Sequence, residues 1–414
     1  MSNVIHSHTY DNGLVLLAES MDWVESAAFA LLLPAGYIHD PTSHLGLANF
    51  ACEMTQRGCG DRDSHRFVED LDRLGVDRNA AVSAAHSSYG GATLATSLEG
   101  VLEIYADLVR RPLLPAEQIE EGRQVCFQEL WSIEDDLARK TMRGLKERFY
   151  GNPWGRSSQG TAECLQQISP ADIQTFIAQY YQPEGAILSV AGKVDWERLR
   201  DHVGELFTPW NPPGTVALPD TLPPKGYLHV PYESNQTQIG VAYTSVPYAD
   251  PNYFQARAAV GILSDGMSSR LFTEVRENRG LCYTVYASCH SLRHRGSVLC
   301  YAATSTERAQ ETLDVMLSEL QKLKDGIRQD ELDRLKARLK SSLIMQQESS
   351  SARSSSMAAD WYHLGRVMQM DEVGRIIDDL TCDSINEYLA NHAPQAFTVV
   401  TLGEQPLEVS DGIS

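Results

Sequence analysis

Short apolar runs bounded by turn residues alternate along the chain with longer amphipathic stretches, and the two kinds come in a fixed order. "DNGLVLLAE" (11–19), where an Asp-Asn-Gly turn precedes an apolar run, "SAAFALLLPAG" (26–36) and "SSYGGATLAT" (87–96) predict strands. "QTQIGVAYTSV" (236–246), "TVYASCHSL" (284–292) and "GSVLCYAAT" (296–304) have the same character in the second half. Each strand group is followed by helical periodicity, "SLEGVLEIYADLVRRPLLPAEQIEEGRQVCFQELWSIEDD" (97–136) and "STERAQETLDVMLSELQKLKDGIRQDELDRLKARLKSSLI" (305–344). Each half then closes on a further strand, "GAILSVAG" (185–192) or "AFTVVTLG" (396–403).

The halves repeat one another. Ile168 and Leu380, Phe176 and Tyr388, and Gly192 and Gly403 correspond at an offset of 211 or 212 residues, with helix caps expected at Ser169 and Thr381. Between the halves, prolines crowd "FTPWNPPGTVALPDTLPPKG" (207–226), an extended linker because proline fixes φ and lacks a backbone donor. The expected organisation is a domain over 1–208, a linker over 209–226 and a homologous domain over 227–414. Strands then helices then a closing strand predict an α+β fold, each domain a mostly antiparallel sheet with helices packed on one face.

"GLANFACEMTQRG" (46–58) predicts a short amphipathic helix with Leu47, Phe50, Ala51 and Met54 on the apolar face. Asn49, Cys52, Glu53 and Gln56 form another face, with Ser43 or Thr42 expected as N-cap and Gly58 as C′ residue.

Composition narrows the setting. The formal charge of −20 excludes a nucleic-acid backbone as partner, since that needs clustered Lys and Arg. Neither a secretory signal nor a membrane span is expected from the sequence, which gives a cytoplasmic address. The eight cysteines are scattered, without a C-x-x-C pair, and suit reduced and mostly buried thiols.

The segments "DNGLVLLAE", "GLANFACEMTQRG", "FQELWSIEDD", "GNPWGRSSQGT", "YYQPEGAILSVAGKVD" and "DGMSSRLFTEVRENRGLCYTVYA" together resemble the insulinase and mitochondrial-processing-peptidase family of zinc metallopeptidases, in its half-size dimeric form. That family's metal motif is H-x-x-E-H on a helix, in which residues four apart share a face so that two imidazoles reach one zinc while the Glu polarises bound water. Laid on this chain, the first His falls on Asn49, the Glu on Cys52 and the second His on Glu53. The family's third ligand falls on Glu129, and an acidic residue usually found one repeat earlier falls on Gly122. A neutral amide cannot replace an imidazole, and Cys52 and Glu53 are neighbours pointing about 100° apart on a helix, so no metal is expected on this chain.

The resemblance also carries over an arginine and a tyrosine, Arg276 and Tyr283 in "VRENRGLCY", which in the family reach toward the zinc site from the second domain. Read from the residues alone, Arg276 is equally an exposed helix residue among Glu274, Glu277 and Asn278, and Tyr283 an ordinary strand aromatic. The function the resemblance implies is a non-catalytic subunit of a heterodimeric zinc metallopeptidase. Its partner is then a homologue with an intact H-x-x-E-H that holds the zinc, and its substrate a peptide or unfolded polypeptide. A structural subunit like the core subunits of the respiratory cytochrome bc complex, and a homodimeric peptide-binding protein, are the alternatives.

Overall fold

The computed structural model describes residues 4–210 and 223–409, so most of the proline-rich stretch lies outside the described residues. The chain divides into two compact units, and each is built on one sheet. In the first unit the strands are β1 (Ile5–Thr9), β2 (Val15–Ser20), β3 (Ser26–Leu33), β4 (Asp77–Val82), β5 (Ser87–Leu94) and β6 (Ile187–Gly192). In the second they are β7 (Tyr227–Pro231), β8 (Gln236–Ser245), β9 (Cys282–Leu292), β10 (Arg295–Ser305) and β11 (Thr398–Gly403). The first sheet runs β1-β2-β6-β3-β5-β4 and the second β9-β10-β8-β11-β7. Pairing is antiparallel except for β2 with β6 and β7 with β11, each of which pairs a strand with the one that closes its repeat.

The repeat read from the sequence is a structural one. Ser169 caps Pro170–Tyr180 and Thr381 caps Cys382–Asn391, and both close a reciprocal capping box that satisfies otherwise orphaned N–H groups. Ile168, Leu380, Phe176 and Tyr388 are buried in their respective cores. Omitting β1, the strands β2-β6-β3-β5-β4 correspond one to one with β7-β11-β8-β10-β9.

Alternation along the strands decides what covers each face, because successive side chains point to opposite sides. In the first unit Phe29, Leu31 and Leu33 face the main helical layer, which includes α1 (Leu47–Thr55) and α2 (Leu98–Arg110). Ala30 and Leu32 face the other way, toward Met357, Ala358 and Trp361 of Ser350–Leu364. In the second unit Ile239, Val241 and Val399 face the helical layer, while Ala242, Leu299 and Val400 meet Leu145, Phe149 and Tyr150 of Leu137–Tyr150.

The units therefore depart from the contiguous division of the sequence in two places. Residues 133–155 belong to the second unit and 345–369 to the first, so the face opposite the main helical layer is covered by a helix from the other half of the chain. Small residues in "ESSSARSSSM" let that helix lie close to β3 and β6 without bulky spacers. Its anchor is an ion pair in which Arg353 Nε donates to Glu19 Oε2 at 2.7 Å, with both side chains only 1% exposed.

Removing one member of such a pair strands a charge in the interior, which costs about 3–5 kcal/mol. Arg353→Met is expected to lower the stability of the first unit by that amount in urea unfolding. Glu19→Leu combined with it is expected to recover most of the loss, since apolar groups of similar volume need no counter-charge.

Stability also depends on pH through His39. Burial against Tyr180, whose ring stacks at 4.2 Å, lowers His39 from 6.5 to about 4. The fold holds the neutral imidazole, whereas the unfolded chain takes up a proton below about 6.5. The contribution of His39 is thus complete above pH 6.5 and is lost as pH falls through 4. Urea midpoints of wild type and His39→Phe, compared between pH 7 and pH 4, are expected to show a shallower acid-side decline for the variant. The difference in slope is at most one proton, about 1.4 kcal/mol per pH unit.

Candidate functional site

Helix α1 is held in place before its first residue. Gly46, in the left-handed conformation at φ 94, occupies the N-cap position, and a Cβ there would meet the Gln159 carbonyl oxygen at 2.9 Å. The capping group is neither Ser43 nor Thr42, as expected from the sequence, but the buried carboxylate of Asp40. It accepts from Gly46 N at 2.8 Å and Ala48 N at 2.9 Å, satisfying first-turn donors from six and eight residues away. Nor is Gly58 the C′ residue: α1 ends at Thr55 with Gln56 as cap, and Gly58 pairs in a short ribbon with Asp63. Proximity in sequence suggested local caps, whereas the carboxylate reaches the helix because the turn at Tyr37–His39 folds back on it.

The structure brings Asn49 and Glu129 together. Glu129 lies on α3 (Ile119–Asp135), and its Oε2 accepts a 2.7 Å hydrogen bond from Asn49 Nδ2. Glu53 is committed elsewhere, its Oε1 accepting from Arg57 Nη2 at 2.8 Å and Nε at 3.1 Å. Cys52 is buried, and burial, reinforced by the charges of Glu53 and Glu129, pushes its thiol up to about 12. Burial there disfavours the thiolate, the form that acts as a nucleophile or base.

Gly122 completes the picture on α3. A Cβ at that position would stand 2.6 Å from Met54 Sδ and 3.2 Å from Phe50 Cε2, so apolar side chains of α1 fill the space an acidic residue needs. Behind Cys52 runs a buried chain of hydroxyls that the sequence did not suggest, Thr55 to Tyr89 at 2.7 Å and Tyr89 to Tyr181 at 2.8 Å.

The residues present do not fit a zinc ion. Asn49 turns its N–H group, not a lone pair, toward the carboxylate of Glu129, and Glu53 is neutralised by Arg57. Among the described residues no three His, Cys, Asp or Glu side chains converge as metal ligands.

In the second unit, Arg276 and Tyr283 are neighbours. The backbone over Phe272–Glu277 is wound as a π-helix, a rare form that interrupts ordinary helical spacing. It sets the Arg276 guanidinium over two rings, 4.7 Å from the centroid of Phe272 and 4.9 Å from that of Tyr283. The register of β9 against β10 slips between Cys282 and Thr284, leaving Tyr283 on a bulge and 82% exposed. Glu274, a candidate surface partner for Arg276, is taken by Arg279 at 2.6 Å and by Asn278 at 3.1 Å. Among the described residues Arg276 has no ion-pair partner, and its positive charge is held only by cation–π contact.

Residues 15–162 match the family model described as insulinase (peptidase family M16), and residues 167–339 match the one described as peptidase M16 inactive domain. An uncharacterized zinc protease of Rickettsia felis is 25% identical over 402 residues, covering 94% of each chain. Another, from Bacillus subtilis, is 24% identical over 388 residues, covering 92% of this chain and 94% of the relative. The crystal structure of a peptidase M16 inactive domain from Pseudomonas fluorescens has the same fold at TM-score 0.87 and 21% identity, over 98% of this chain and 99% of that one. A protease from Helicobacter pylori has a TM-score of 0.87 at 21% identity, over 98% of this chain and 100% of its own. No helix among the described residues is long and apolar enough to cross a membrane. Two family models in order along one chain, relatives aligned over nearly its whole length and a shared two-domain fold lead to one conclusion: the chain belongs to the insulinase, or M16, family of peptidases.

Proposed function

We propose that this chain is the non-catalytic subunit of a heterodimeric zinc metallopeptidase. Its own H-x-x-E-H positions are degenerate, and its partner is a homologue that retains the motif and the zinc. Arg276 and Tyr283 serve the partner's site, where Arg276 holds a substrate carbonyl or carboxylate and the Tyr283 hydroxyl donates to the oxyanion of the tetrahedral intermediate. The substrate is a peptide or an unfolded polypeptide in extended form.

The observation that carries this reading is the contrast between two sets of residues. Asn49, Glu53 and Glu129 are consumed by hydrogen bonds among themselves and with Arg57, while Arg276 is uncommitted and Tyr283 stands exposed beside it. An arginine without a carboxylate, stacked on aromatic rings, keeps its donors for a ligand.

Purified together, the pair is expected to cleave peptides that neither chain cleaves at a comparable rate alone. Arg276→Ala and Tyr283→Phe are each expected to lower the kcat of the pair about a hundredfold, the usual cost of losing a transition-state donor, with assembly on size exclusion unchanged. Full activity in both variants would show the residues to be structural and remove the in-trans role. Assembly without any gain in proteolysis would favour the structural-subunit alternative.

The lost metal site offers a second test. Asn49→His, Cys52→Glu and Glu53→His together place two imidazoles on one face of α1 with Glu129 as third ligand, and the triple variant is expected to bind zinc in calorimetry where the native chain binds none. Activity is expected to lag behind binding, because Met54 occupies the space an acidic residue at position 122 requires. Failure of the folded triple variant to bind micromolar zinc would mean that Glu129 is misplaced as a third ligand or that the family's motif does not fall on these positions of α1. Stoichiometric zinc on the native chain, with chelator-sensitive peptidase activity, would overturn the proposal itself.

A further inference from the structure

The second unit holds a cavity of about 240 Å³ that no part of the proposed chemistry uses. It lies between the loop 265–269, which follows the helix Tyr253–Ser264, and the helix Gln329–Gln347. Gly266, Ser268, Ser269, Arg334 and Arg338 line it, together with two carboxylates, Asp265 and Glu331.

Both carboxylates are already neutralised. Asp265 Oδ2 pairs with Arg257 Nη2 at 2.9 Å, and Glu331 accepts from Nε and Nη2 of Arg270, each at 2.8 Å. Arg334 is spoken for as well, by Asp330 at 2.9 Å. Arg338 has no carboxylate partner among the described residues. Its guanidinium lies against Gly266, where a Cβ would stand 2.6 Å from Nη1, so only glycine at this position, with φ 107, allows that approach.

The wall contributes a second uncommitted donor. Ser269 is 5% exposed, and its Oγ has no hydrogen-bond partner among the described residues. A buried hydroxyl in that state favours any occupant able to accept from it. The cavity is therefore lined by an exposed guanidinium that has no carboxylate partner and by a serine whose buried hydroxyl has no partner among the described residues.

We propose that this cavity binds an oxyanion, a carboxylate or a phosphoryl group, through Arg338 and Ser269. The chain's net charge of −20 does not forbid this, because at physiological salt charges beyond about 8 Å are largely screened and the local donors decide. The source that the proposed function supplies is an acidic residue of a bound peptide. Ser269 and Arg276 lie seven residues apart, at the start and near the end of one helical segment of the second unit, so both stand on the same short stretch of chain. That assignment of the source rests on the proposed function, whereas the oxyanion site does not.

The test uses this chain alone, without a partner or turnover, so its outcome is independent of the in-trans role. Calorimetric titration is performed with a short blocked peptide containing one Glu, with its Gln counterpart, and with inorganic phosphate. Saturable binding of the Glu peptide, at least tenfold weaker for the Gln peptide and displaced by phosphate, is the expected result. Arg338→Ala is expected to weaken binding tenfold or more and Ser269→Ala severalfold. The unliganded thermal midpoint of Ser269→Ala should stay level or rise, because the variant loses a hydroxyl that bonds to nothing. Phosphate binding without peptide binding would keep the oxyanion site and assign it to free phosphoryl groups. Saturation by neither probe, or affinities untouched by both substitutions, would overturn the proposal.

Discussion

The architecture depends on a constraint that only a folded chain can meet: each sheet has two apolar faces, and its own half of the sequence covers one. The other face of the first sheet is closed by the helix Ser350–Leu364, and the buried pair of Glu19 and Arg353 fixes where it lies. The other face of the second sheet is closed by Leu137–Tyr150, whose Leu145 and Phe149 pack on Ala242, Leu299 and Val400. Neither half could bury its sheet alone. An interior ion pair contributes little net stability, but any placement of the helix that leaves either charge buried and unpaired is penalised.

The same principle of commitment separates the two candidate sites. Around α1 the polar groups have found neighbours: Asn49 has Glu129 and Glu53 has Arg57, while Cys52 is a buried thiol. Side chains of α1 have also filled the space beside Gly122. In the second unit the opposite holds. A π-helix and a β-bulge, both departures from regular spacing, hold Arg276 and Tyr283 side by side and away from competing carboxylates. A π-helix and a bulge each change where a side chain points relative to its neighbours in the element.

Much of this was legible in the chain. The strands over 15–20, 26–33, 87–94 and 236–245 follow from apolar runs between turn residues, and the two capping boxes mark the repeat at Ser169 and Thr381. The outer strands β1 and β4 were not legible, because "IHSHT" and "DRNAAV" carry mostly half-exposed or exposed residues and become strands only by pairing with β2 and β5. The cap of α1 was missed for a related reason. Asp40 lies outside the short sequence window in which capping residues are sought, and only the turn before it brings its carboxylate to Gly46 and Ala48.

The sequence by itself determined the residue types on the polar face of α1, because ligand chemistry is a property of the side chain: an amide, a thiol and an acid cannot act as two imidazoles and a base. It also determined the duplicated order of strands and helices, since periodicity and capping are local. Tertiary structure alone decided which half covers which sheet, that Arg276 is free while Glu274 is paired, and that Arg338 and Ser269 share a cavity. Those outcomes rest on competition among partners distant in sequence. Such competition is settled by distance and burial in the fold, which a linear pattern does not encode.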